Sequence, residues 1–407
     1  MRKKIITIVI IALAAIILGG GYLLYQRYYG GAVKFDIETQ PIVDYEHRSM
    51  ASSHGIVPDY LWMRTKQLMV GVDDDSLLIP SSYMIAGRLS YQDAESSGEY
   101  RLEDQALLLM MYVRSGDRIK AMQLKEQILE YYDFENESNT GLSAFLTSYI
   151  YYYIAYGSVN DGDKIEELVN VLFDEEGNMR QEALSVASYE QGTFYSLDNP
   201  GDDDGAFSSL EQIGEDHPVE YTELTGVMIS SIDLRLIRNL ENNGLLPEGS
   251  FQKNLELVLG ARVSDDIPLF AYAYADGIYV YSHNVAAAVD VEESVVTMRH
   301  LSEVGELPSD SYNWLKMQIM NYGLVRQQYY YSYGNTQGDE AVAIYADIMH
   351  IALELDDMDM YERACILEGS RVATYSSSPA LSMIYREEDG RFVFYARENL
   401  DVCLAVT

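Results

Sequence analysis

The sequence predicts an all-α body, an (α/α)6 barrel of helical hairpins with short β-hairpins and loops at one end, preceded by one transmembrane helix. Three observations predict it. Apolar residues recur at three- and four-residue spacing in about a dozen segments, the period that gathers them on one helical face. The breaks between those segments are short, and six nested hairpins close on themselves with no apolar face left over. The chain also opens with an unbroken apolar run as long as a bilayer is thick.

In chain order, residues 1–4 carry Arg2, Lys3 and Lys4 and read as a cytoplasmic tail. Residues 5–25 read as the anchor, because about 20 uncharged residues at roughly 1.5 Å per residue span about 30 Å of hydrocarbon. A cleaved leader has a shorter apolar region and a small-residue cleavage site, whereas here the apolar text continues through Gly19-Gly20-Gly21 into Tyr22-Leu23-Leu24. The basic residues before the run put the N-terminus in the cytoplasm and everything after it outside the cell membrane. Residues 26–53 lack helical periodicity and read as a stalk. The barrel is expected over 54–407, with helices near 60–69, 101–114, 118–132, 141–156, 162–173, 223–241, 250–261, 286–304, 310–322, 339–354, 358–372 and 396–406.

Asp117 after Gly116 is a helix cap following a turn that glycine permits, and Pro308-Ser309-Asp310 after Gly305 starts another helix. Stretches 187–212, 269–281 and 375–395 are not helical. In the second, Phe270, Tyr272 and Tyr274 alternate with small residues and Asp276-Gly277 precedes Tyr279 and Tyr281, the pattern of a hairpin with its turn.

A net charge of −36, spread along the chain, argues against a nucleic-acid partner, which needs clustered Lys and Arg. The two cysteines, Cys365 and Cys403, are too few for a disulfide framework and read as buried thiols, with pairing left open. The six histidines form no His-Glu-x-x-His, and no Gly-rich loop ends in Gly-Lys-Ser/Thr, so no metal or cofactor is expected. The clusters Asp73-Asp74-Asp75 and Asp202-Asp203-Asp204 lack the alternating spacing of a calcium loop and read as solvated turns. Thirty-five tyrosines with Trp62 and Trp314 suit an aromatic saccharide cleft, although any single Tyr is better read as packing.

Glu103-Asp104-Gln105-Ala106, running into an apolar helix and then Gly116-Asp117, resembles the first catalytic helix of glycoside hydrolase family 8, and Tyr60-Leu61-Trp62 is similar to that family's first helix. Ser231-Ile232-Asp233-Leu234 resembles the family's Asp-x-Asp-Leu, with Ser231 in place of the first acid. Val289-Asp290-Val291-Glu292-Glu293 falls where the family has Tyr-Asp-Ala-x-Arg, and Glu398-Asn399-Leu400 resembles its last barrel helix. The text is most like the divergent, membrane-anchored members of Gram-positive bacteria linked to exopolysaccharide production.

The resemblance implies an inverting glycosidase acting on a β-linked polysaccharide. Glu103 would be the general acid and Asp290 the base, with Glu292 and Glu293 as substitutes; Asp233, Trp62 and Tyr281 would contact the sugar. Glu103 would need a raised pKa. The alternative is an inactive barrel that binds polysaccharide or the polysaccharide-synthesis machinery at the membrane surface. As plain residues, Glu103 and Asp290 also read as acids at helix starts, and Asp233 as a solvated helix acid near Arg235.

Overall fold

The protein is described by a computed structural model over residues 35–70, 76–86, 94–188, 220–281, 288–330, 334–376 and 378–407. The expected span 5–25 and both Asp clusters lie outside the described residues, among which no helix is long and apolar enough to cross a membrane.

Thirteen α-helices are present among the described residues. After α1 (Tyr45–Ser53) they alternate between an outer and an inner layer. The outer layer is α2 (Pro58–Met69), α4 (Arg118–Tyr131), α6 (Val159–Leu172), α8 (Ser250–Gly260), α10 (Ser309–Met317) and α12 (Met358–Gly369). The inner layer is α3 (Leu102–Arg114), α5 (Asn139–Tyr156), α7 (Leu234–Asn242), α9 (Val291–Glu303), α11 (Tyr345–Glu354) and α13 (Ala396–Val406). Inner helices pack against one another in order, α5 meeting α7 through the tight turn Ile229–Ser231, and α13 closes the ring against α3. This is the (α/α)6 barrel.

Composition explains which helices are inside. On α13, residues 396–406 are buried throughout except Arg397. Along α5, Gly141, Ser143, Ala144 and Ser148 are small enough for a close approach; a Cβ on Gly141 would stand 3.3 Å from the Cβ of Leu102 on α3. The expected caps form: Asp117 accepts the Lys120 amide at 3.2 Å to start α4, after Gly116 at φ +71°.

All inner helices run in one direction, and three sheets gather where they begin. The first has the order β10 (Arg386–Glu388), β11 (Arg391–Tyr395), β1 (Ser82–Ala86), β2 (Ala94–Ser96); β11 leads straight into α13. The second has the order β3 (Glu182–Ser188), β4 (Glu220–Met228), β5 (Ala273–Ala275), β6 (Ile278–Val280), and β4 leads to α7. The third is β7 (Ala288–Asp290), β8 (Arg326–Tyr330), β9 (Asn335–Glu340), with β7 leading into α9. The β5–β6 hairpin turns at Asp276-Gly277, both left-handed at φ +51° and +85°, as the sequence predicts.

Two expectations are corrected. Residues 223–241 are not one helix: β4 and a tight turn precede α7. Leu224, Val227 and Met228 stand at helical spacing by coincidence, and pairing with β3 and β5 overrides it. Nor does the described part of the stalk lead away from the body. Residues 35–43 cross the far end of the barrel as a strap, and α1 packs on α12 and α13. The strap's backbone is held by side chains: the Asp36 amide by Asn243 at 3.0 Å, the Glu38 amide by Asn239 at 2.9 Å and the Gln40 amide by the Tyr151 hydroxyl at 3.1 Å. Cys365 and Cys403 are free and buried, and burial pushes both thiols up.

Candidate functional site

A cavity of about 140 Å³ runs down the barrel axis, from the first turns of the inner helices to the strap, where Ile37 and Gln40 form its floor. The first turn of a helix favours negative charge, and the bore takes Glu103 from α3 and Asp233, the N-cap of α7, into its wall. Asp233 accepts the Leu236 amide at 2.8 Å and the Thr147 hydroxyl at 3.0 Å.

At the mouth, Arg397 of α13 donates to Glu103 Oε2 at 3.2 Å. Glu103 is 22% exposed and Arg397 49% exposed, so this pair faces the opening. Burial opposes the Arg397 charge, yet Glu103, Asp347 and Asp401 hold it well above the usual arginine range. Across the ring, Glu293 in the first turn of α9 accepts the hydroxyl of Ser230, which lines the bore. The carboxyl at this end that is strongly displaced is Asp104, pushed up to about 7 by burial and then by the Glu103 charge. It does not line the bore.

Deeper down, Arg299 of α9 donates to Asp347 of α11 at 2.8 Å and to Asp401 of α13 at 3.0 Å. His350 lies 3.2 Å from the same Asp401. Burial works against the Asp401 charge, but Arg299 and His350 hold it well below the usual carboxylate range. Lower still, Arg235 pairs with Glu354 and donates to the Glu303 carbonyl at 3.0 Å.

Of the five residues picked from sequence, the bore brings together Glu103 and Asp233. Asp290 ends β7 opposite Gln328, is 4% exposed, and is not among the residues lining the bore. Tyr281 also lies outside the lining, its carbonyl accepting the Asp290 amide at 3.3 Å. Trp62 sits on the outer helix α2, edge-on to Tyr112 at 5.4 Å and under Lys66, where it packs α2 onto the ring. The expected aromatic wall is not in the bore either: among the described residues one tyrosine, Tyr151, lines it. Tyr149, Tyr345 and Tyr361 are fully buried core.

Sequence reasoning missed Arg397, Arg299, Asp347 and Asp401. The available signal was charge on helices otherwise too apolar to carry it, as where Asp401 stands between Leu400 and Val402.

No known family's sequence profile matches the chain, and no curated relative does. Solved structures do. An alpha-amylase from Clostridium perfringens superposes with TM-score 0.61 at 14% identity, covering 88% of this chain and 97% of that one. PssZ from Listeria monocytogenes superposes at 0.53 and 10%, covering 91% and 98%. An unsaturated glucuronyl hydrolase specific for heparin gives 0.52 and 10%, covering 88% and 95%. The fold is that of the (α/α)6 glycoside hydrolases. Identities this low establish the fold and do not select family 8 within it.

Proposed function

We propose that the chain is a glycoside hydrolase held at the outer face of the cell membrane by residues 5–25, cleaving an extracellular polysaccharide in the mouth of the bore. The observation that carries this reading is that Glu103 and Asp233 both line one axial cavity in a closed (α/α)6 ring.

Glycosidic cleavage needs an acid to protonate the leaving oxygen and a second carboxylate on the other side of the sugar. Glu103 takes the first role. Arg397 occupies Oε2 of that carboxylate and has to be drawn off when a glycan enters. For the second role Glu293 is favoured over Asp290, since α9 stands opposite α3 in the ring and Glu293, though not itself in the lining, accepts the hydroxyl of Ser230, which is. Asp233 then holds the bound sugar by accepting from its hydroxyls. Single-step inversion is the outcome if a water fits between Glu103 and Glu293.

The test is to incubate the protein with starch, β-1,4-glucan, chitosan and crude exopolysaccharide and to count new reducing ends. Glu103→Gln should cut them on the order of 100-fold or more; undiminished turnover sinks the assignment. A second reading, a barrel that binds glycan without cutting it, is favoured by Ser231 in the position where the resembled family has an acid. Retention on an immobilised glycan with no new ends is its signature.

A further inference from the structure

Below the mouth, Asp233, His300 and Glu303 each present one atom to a common point, all within 4.8 Å of one another. Two of the three are carboxylates, so the group calls for a cation. The surroundings decide which one. Arg299 Nε already sits 3.3 Å from Glu303 Oε1, and Arg235 donates from α7 to the Glu303 carbonyl at 3.0 Å. Two guanidinium groups beside the point disfavour a divalent ion, whose charge they would repel. The His300 ring fits instead: Nδ1 lies 3.5 Å from Glu303 Oε2 and is buried with no hydrogen bond of its own.

We infer that His300 is a positioning residue: set beside Glu303 on its own helix, its ring faces Asp233 on the neighbouring α7 and keeps that carboxylate aimed at the ligand. For its functional meaning this rests on the glycan-pocket reading above. Among the charged and titratable groups on neighbouring elements, Asp347 is paired with Arg299, Glu354 with Arg235, and the Tyr151 hydroxyl holds the strap, while Arg235 Nη1 is buried without a hydrogen bond. Burial opposes the His300 charge, but the close Glu303 carboxylate at 3.5 Å and the Asp233 charge outweigh it and raise the imidazole above its ordinary range. Glu303 is correspondingly held far below the usual carboxylate range: burial opposes its charge, and His300, Arg235 and Arg299 more than offset that.

The test uses the full chain in detergent micelles with ¹⁵N-labelled histidine, which gives six side chains to follow. His300, identified by loss of its signal in His300→Gln, should titrate above an ordinary histidine. Glu303→Gln should lower its midpoint by about one unit or more, and Asp233→Asn, at the cavity surface where folding is less at stake, by a smaller amount in the same direction. An ordinary midpoint, or one that neither variant moves, overturns the positioning role. Addition of Mn²⁺ at one equivalent should leave the His300 signal sharp; selective broadening that Asp233→Asn removes would make this a metal site and end the proposal. Neither readout needs turnover. A raised midpoint in a chain that does not cleave glycans supports the positioning role while sinking the hydrolase, and an ordinary midpoint in an active chain does the reverse.

Discussion

The two ends of the bore are built from the same residue types and differ in how far those residues are committed. At the floor and middle each charge has a fixed partner: Arg299 between Asp347 and Asp401, Arg235 on Glu354, Gln40 under Arg114. At the mouth, Glu103 and Arg397 share one contact in a half-open setting. Buried ion pairs are expensive to break, because removing one partner strands the other in low dielectric, whereas an exposed pair is worth little. The Arg299 and Arg235 networks are therefore structural, and the Glu103–Arg397 pair at the mouth is free enough to exchange a protein partner for a ligand.

The largest expected effect tests the mouth. Glu103→Gln should cut hydrolysis on the order of 100- to 10,000-fold, the usual worth of a positioned acid or base, while the denaturant midpoint barely moves. A large loss of stability with activity kept would invert the contrast. Next comes the middle of the bore. Arg299→Ala leaves Asp347 and Asp401 without their guanidinium and should cost about 3–5 kcal/mol in urea unfolding; a change below about 1 kcal/mol would place that network in the same class as the mouth pair.

The barrel was legible because its signal is redundant: twelve short-spaced amphipathic segments admit few closures, and Asp117 and the Asp276-Gly277 turn each announce a boundary by their own chemistry. Glu103 was picked out by the resemblance of Glu103-Asp104-Gln105-Ala106 and the helix after it to a known catalytic helix, and the structure places it in the wall of the bore. Glu293 was kept only as a substitute for Asp290, since neighbours in Asp290-Val291-Glu292-Glu293 differ by which face of a helix start they occupy, and that depends on β7 pairing with β8. Arg397 and Asp401 meet their partners from residues about 50 to 300 positions away, a juxtaposition that only ring closure creates. The strap was misread because its order comes from side chains of α5 and α7 bonding its backbone, which leaves no period in its own residues.

A pH experiment sharpens the contrast. Asp401 and Glu303 have folded-state values below their unfolded ones, so their contribution is present above about pH 4 and is lost as pH falls through the folded values. Asp104 behaves oppositely. Its carboxyl stands at about 7 when folded, so the folded state binds the extra proton between its model value of 3.8 and about 7, and stability falls as pH rises through that window. Asp104→Asn should therefore melt higher than the parent at pH 8 and gain little at pH 5. An equal shift at both pH values would show that Asp104 is charged or solvated throughout.

The smallest expected effect concerns the strap. Glu38 pairs with Arg238 at the outer edge of the floor, where Glu38 is 47% exposed, so Glu38→Ala should change stability by about 0–1 kcal/mol. Asn239 is different: its Oδ1 accepts the Glu38 amide and the residue is 6% exposed, so Asn239→Ala leaves a partly buried amide without its acceptor and should cost roughly 1 kcal/mol or more. If the two changes cost the same, the strap is fastened by charge at its rim. If Asn239 dominates, its fastening is the backbone bond, and hydrogen exchange at the Glu38 amide in the Asn239→Ala protein should then quicken while exchange in the first turn of α3, at the opposite end of the bore, stays as it was.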